Sequence, residues 1–103
     1  MKELPIACEL DPSDIAARGD ELLPGLVRRA AAVEEASEGL RLRFPQSTEV
    51  LREITQVIDA ERRCCRFLRF QITVESGDGP IWLEVNGPPG TREFLSQLIQ
   101  SFP

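Results

Sequence analysis

Two adjacent cysteines, Cys64 and Cys65, are the residues of this chain best suited to chemistry. They end an amphipathic segment whose apolar stripe also contains Glu61, because helical residues advance by about 100° each and Cys65 falls near the same line. The third cysteine, Cys8, lies far away in the sequence. Since the chain has no histidine and no tyrosine, any thiol, redox or soft-metal chemistry depends on these cysteines.

The first chemistry that this set indicates is the binding of a soft ion. Structural zinc is a poor match, because it takes four ligands and commonly a Cys-x-x-Cys pair, which this sequence lacks. Three thiols suit an ion that accepts two or three sulfur ligands, and the candidates are mercury(II), arsenic(III) and copper(I). The predicted metal ligands are therefore Cys8, Cys64 and Cys65, with Glu61 beside them.

A second interpretation is a thiol redox protein or thiol enzyme, in which Cys64 attacks and Cys8 or Cys65 resolves. It needs an exposed Cys64 with a lowered pKa. Four nearby arginines favour the thiolate, whereas the carbonyl end of a helix disfavours it. These arginines are Arg62, Arg63, Arg66 and Arg69.

A third interpretation makes the protein a non-catalytic interaction module, a homodimer among the options. Cysteine is among the most buried residue types, so all three can be ordinary core residues. Glu61 would then pair with Arg62 or Arg69. The sequence favours a binding protein over an enzyme, and it names no substrate.

Composition limits the class of protein. A chain of 103 residues with 42% apolar and 28% charged residues is typical of one soluble globular domain, residues 1–103. The net charge of −5 argues against nucleic acid as a partner. With neither a signal peptide nor a membrane-spanning run, we expect a cytoplasmic protein with free thiols. Adjacent cysteines also make poor disulfides, because their Cα atoms are only about 3.8 Å apart.

The hydrophobic pattern predicts eight elements in the order β-α-β-β-α-β-β-α. This order indicates an α+β fold, with a ferredoxin-like, mainly antiparallel sheet and helices packed on one face. In such a sheet the first and fourth strands are antiparallel neighbours, which would bring Cys8 close to Cys64 and Cys65. The predicted strands are residues 4–10, 33–37, 40–44, 67–75 and 81–85, and the predicted helices are 12–27, 48–65 and 92–101.

Four segments resemble a group of small uncharacterised bacterial proteins that share an E-R-x-C-C-x-F motif. They are Glu61 to Phe70, Gly79-Pro80-Ile81-Trp82-Leu83, the Gly87-Pro88-Pro89-Gly90 turn with the helix after it, and the Ile6-Ala7-Cys8-Glu9-Leu10 start. Such proteins are loosely linked to soft-metal or metalloid resistance. The resemblance implies that Cys8, Glu61, Cys64 and Cys65 form the site. Proline often follows the cysteine pair in that group, whereas here Arg66 does.

Overall fold

The computed structural model describes residues 23–100, which form an α+β fold of three helices and a four-stranded antiparallel sheet. From residue 32 onward the elements match the predicted ones to within two residues at each end, whereas the helix predicted at 12–27 is described only from Leu23. In chain order they are α1 (Leu23–Arg29), β1 (Ala32–Ala36), β2 (Gly39–Phe44), α2 (Thr48–Cys64), β3 (Arg69–Val74), β4 (Ile81–Asn86) and α3 (Thr91–Gln100).

Local sequence signals explain where these elements begin. Ser47 caps α2, since its side-chain oxygen accepts a hydrogen bond of 3.3 Å from the Val50 N–H. The sequence also predicts a kink at Pro24. Instead α1 begins at Leu23, so the proline lies in the first turn, where its missing N–H costs no intrahelical bond.

The order of the strands differs from the ferredoxin-like expectation. A ferredoxin-like sheet would place residues 4–10 between β2 and β3. That central position belongs to β4, and the order across the sheet is β1-β2-β4-β3 with every neighbouring pair antiparallel. The strand predicted at residues 4–10 lies outside the described residues.

The core lies between one face of the sheet and the helices. Alternate residues of β2 and β4 point into it, among them Leu42, Leu83 and Val85, all fully buried. Helix α1 packs against α2 and α3, and α3 packs against β2. Within residues 23–100, no helix combines the length and the apolar character needed to span a membrane.

The opposite face of the sheet carries polar side chains and Trp82. As the alternation predicts, Trp82 points away from the core, and it pairs in register with Arg43 and Thr73. The guanidinium carbon of Arg41 lies 4.0 Å from the centre of the indole ring. Trp82 is therefore part of a cation–π pair on the outer face and packs under none of the described helices.

Candidate thiol site

The last turn of α2 brings together three of the four predicted ligands. Glu61 and Cys64 are three residues apart on α2, and Cys65 is the residue that ends the helix. All three side chains are buried, with 2%, 4% and 1% of their surface exposed. Their ligand atoms, one carboxylate oxygen and two sulfurs, lie within 4.8 Å of one another.

Hydrogen bonding orders this cluster. The Cys64 thiol donates to Glu61 Oε1 over 3.3 Å, and its sulfur lies 3.5 Å from the sulfur of Cys65. Both cysteines are in the thiol form. The carboxyl group therefore already accepts the proton that Cys64 would have to lose in order to bind a metal or attack an electrophile.

The second sulfur is placed by the way the helix ends. The Cys65 N–H still bonds to the Glu61 carbonyl at 2.6 Å, but the Cys65 backbone has left the helical region, with φ −117° and ψ 73°. A turn follows, closed by the Leu68 N–H on the Cys65 carbonyl at 3.1 Å. At this helix end the sulfur of Cys65 lies next to that of Cys64.

Glu61 also holds the start of α1, a contact that sequence reasoning missed. The buried Leu23 N–H donates to Glu61 Oε2 over 3.2 Å. The first amides of a helix have no intrahelical acceptor, so an acidic side chain at this end satisfies a donor that would otherwise be costly to bury. One signal for it was that a carboxyl group on an apolar stripe requires a partner; the other, that proline is common in the first turn of a helix, was interpreted as a kink at Pro24.

Three of the four arginines, Arg62, Arg63 and Arg69, lie away from the thiols. Arg62 and Arg63 form ion pairs of 2.8 and 3.0 Å with Asp59 on the exposed side of α2, so Arg62 is not the partner of Glu61. Arg69 pairs in register with Asn86 on the outer face of the sheet, away from the cluster. The i, i+3 and i, i+4 spacing to Asp59 was visible in the sequence.

An aromatic contact closes the site on the side of α3. Phe67, in the turn after Cys65, is buried and meets the ring of Phe94 edge to face, with the ring centres 5.0 Å apart. Aromatic pairs in this arrangement add stability beyond the area they bury. The turn that positions Cys65 is thereby anchored to α3.

The burial of the thiols bears on each chemical interpretation. A thiol nucleophile has to be reached by its substrate, and Cys64 is only 4% exposed. A metal or metalloid ion needs far less room than an organic substrate. The two thiols supply soft sulfur donors, and the carboxyl group supplies a hard oxygen donor. Cys8, the fourth predicted ligand, lies outside the described residues.

A surface cleft of about 290 Å³ lies elsewhere, between the β1–β2 hairpin, α1 and α3. Its lining includes Val33, Leu40 and Arg92 but none of the three cluster residues. The thiol cluster of Glu61, Cys64 and Cys65 therefore does not line this cleft.

No family model, curated protein or solved structure matches this chain. The functional assignment consequently rests on the geometry of the thiol cluster.

Proposed function

We propose that this protein binds a soft metal or metalloid ion through Cys64 and Cys65. The observation that carries the proposal is the pair of buried thiol sulfurs 3.5 Å apart beside a buried carboxyl group. Thiolates select soft ions such as mercury(II), arsenic(III) and copper(I) over magnesium or calcium. The biological role would be sequestration, transport or sensing of the ion in the cytoplasm, in keeping with the E-R-x-C-C-x-F resemblance.

Glu61 has a defined part in this proposal. Each thiol must release its proton when it binds an ion, and Glu61 Oε1 already accepts the Cys64 proton. The carboxyl group would receive or pass on that proton and then orient the sulfur. Burial also keeps competing water away from the bound ion, which strengthens every interaction inside the cluster.

Cys8 would be the third sulfur. This part of the proposal rests on the E-R-x-C-C-x-F resemblance and on the sequence pattern, because Cys8 lies outside the described residues.

The proposal is tested by titrating the reduced protein with mercury(II), arsenite, copper(I) and zinc under native mass spectrometry. We expect one soft ion per chain and weaker binding of zinc. Serine variants of Cys64 and Cys65 should each lose the bound ion, and Cys8→Ser should bind more weakly if the third sulfur contributes. Circular dichroism of each variant shows whether the fold has survived.

Two outcomes would redirect the assignment. If the folded wild type binds none of the four ions, the cysteines are core residues, and an interaction module becomes the better interpretation. If Cys64 reacts rapidly with a mild alkylating reagent in the folded state, its burial is only apparent and the redox interpretation gains support.

A further inference from the structure

The separation of the two sulfurs constrains which kind of ion they can share. This step rests on the proposed function and concerns the same site. Two sulfurs bound to one ion subtend an angle that depends on their separation and on the length of the ion–sulfur bond. The separation is 3.5 Å between Cys64 Sγ and Cys65 Sγ.

The angle follows from simple geometry. With a bond of about 2.3 Å, the length of a zinc–thiolate bond, sulfurs 3.5 Å apart subtend about 100° at the ion. A linear two-coordinate ion would need sulfurs about 4.6 Å apart, twice that bond length. Mercury(II) and copper(I) with two thiolates prefer such linear or open geometries. A tetrahedral zinc ion tolerates an angle near this one but requires four ligands.

The surroundings resist a wider separation. Both cysteines lie in the closely packed core cluster, which leaves their side chains little room to move apart. Cys65 is in addition held by the backbone bonds on either side of it, from its own N–H to Glu61 and from Leu68 N–H to its carbonyl. Spreading the sulfurs by about 1 Å, from their present separation to that of a linear complex, would disturb this packing.

We propose that the preferred ligand is a trivalent, pyramidal metalloid, with arsenous acid as the representative. Its lone pair compresses the angles between the three ligands below the tetrahedral value, which matches the angle that the sulfurs subtend. The site therefore selects by ligand geometry as well as by softness.

The binding step is a ligand exchange without oxidation or reduction. Two As–O bonds and two S–H bonds break, two As–S bonds form, and two hydroxides leave as water with the two thiol protons. Arsenous acid and the bound product are both neutral, so the exchange adds no net charge to the buried cluster. One hydroxyl remains on arsenic, and it can donate to Glu61 Oε1, which no longer accepts the Cys64 proton. If Cys8 supplies a third sulfur, it replaces this hydroxyl with loss of one more water.

The test compares the ion affinity of the folded protein with that of a short unfolded peptide that carries the same ligand residues. We would measure the affinity of Cys8→Ser protein for arsenite and for mercury(II) chloride, each in competition with dithiothreitol. The reference is a peptide of residues 60–69, which contains Glu61 and both cysteines without the packing that fixes the sulfurs. The ratio of folded to peptide affinity isolates the effect of the preorganised geometry from the intrinsic thiol affinity of each ion.

We expect the fold to raise arsenite affinity by at least about tenfold and to leave mercury(II) affinity unchanged or lower. X-ray absorption of the arsenite complex should show two sulfurs and one oxygen on arsenic. If the ratio of folded-protein affinity to peptide affinity is as large for mercury(II) as for arsenite, or larger, the selection by geometry is refuted, and the proposed soft-ion site remains. If the folded protein binds both ions more weakly than the peptide, burial excludes ions and both proposals fail.

Discussion

Replacing Glu61 with glutamine tests the central role of this carboxyl group in the free protein. Among the described residues, the Leu23 N–H and the Cys64 thiol each donate a hydrogen bond to Glu61. A glutamine side chain has the same shape, but it carries only one oxygen, and its amino group can only donate. In Glu61→Gln one of these two buried donors therefore loses its acceptor.

The expected loss of stability follows from the burial of both donors. Leu23 is fully buried and Cys64 is 4% exposed, so water cannot replace the missing acceptor. Leaving a buried donor unsatisfied costs about 1–3 kcal/mol. For a domain of this size each kcal/mol corresponds to about 4–8 °C in Tm. A shift of this size is easily measured by thermal or urea unfolding.

The matched control is Glu53→Gln, the same substitution on the same helix. Glu53 also contacts α1, through an ion pair with Arg29, but both side chains are largely exposed, at 37% and 46%. An exposed ion pair contributes about 0–1 kcal/mol. Equilibrium urea unfolding followed by circular dichroism should therefore show a clearly larger loss for Glu61→Gln. Hydrogen exchange should in addition show faster exchange at the Leu23 amide.

One result would refute this reasoning. Surface substitutions usually change the free energy of unfolding by no more than about 0.5 kcal/mol. If the Glu61→Gln and Glu53→Gln variants differ in this free energy by less than that, the carboxyl group does not hold α1 and the cysteine turn together. Unchanged exchange at the Leu23 amide would lead to the same conclusion by an independent measurement.

Three further predictions concern the scaffold. Ser47→Ala should lose about 1 kcal/mol in urea unfolding, because the cap of α2 disappears; no loss would mean that the cap is replaced by solvent. Gly39→Ala should lose more than about 3 kcal/mol, because its Cβ would overlap the Val85 carbonyl oxygen; a stable variant would contradict this close approach of the two strands. Arg41→Ala should shift the fluorescence of Trp82 to longer wavelength at a cost below about 1 kcal/mol; an unchanged spectrum would argue against the stacked pair.

The local part of the site was predictable because it is written in consecutive residues. Glu61, Cys64 and Cys65 are brought together by one helical turn and its end, so their spacing alone placed them on one side of α2. The ion pairs of Arg62 and Arg63 are also local in the sequence, yet the sequence analysis placed these arginines beside the thiols or Glu61. Their observed partner, Asp59, lies about one helical turn before them and is exposed on the same side of α2 as both arginines.

The order of the strands was not predictable in the same way. An alternating pattern shows which face of a strand is buried, but it does not name the neighbouring strand. The inward residues of β4 are nearly fully buried, whereas those of β3 are half-buried or exposed, which is the difference between a central and an edge strand. Only the assembled sheet places β4 between β2 and β3.

The sequence by itself determined the elements, the faces that they bury and the close approach of one carboxyl group to two thiols, because each of these depends on residues within a few positions of one another. Only the tertiary structure decided that Glu61 binds the Leu23 N–H, a contact across 38 positions. It also decided that both sulfurs are buried 3.5 Å apart. Such features arise from the packing of α1, α2 and the sheet into one core, and local propensity does not specify how distant segments pack.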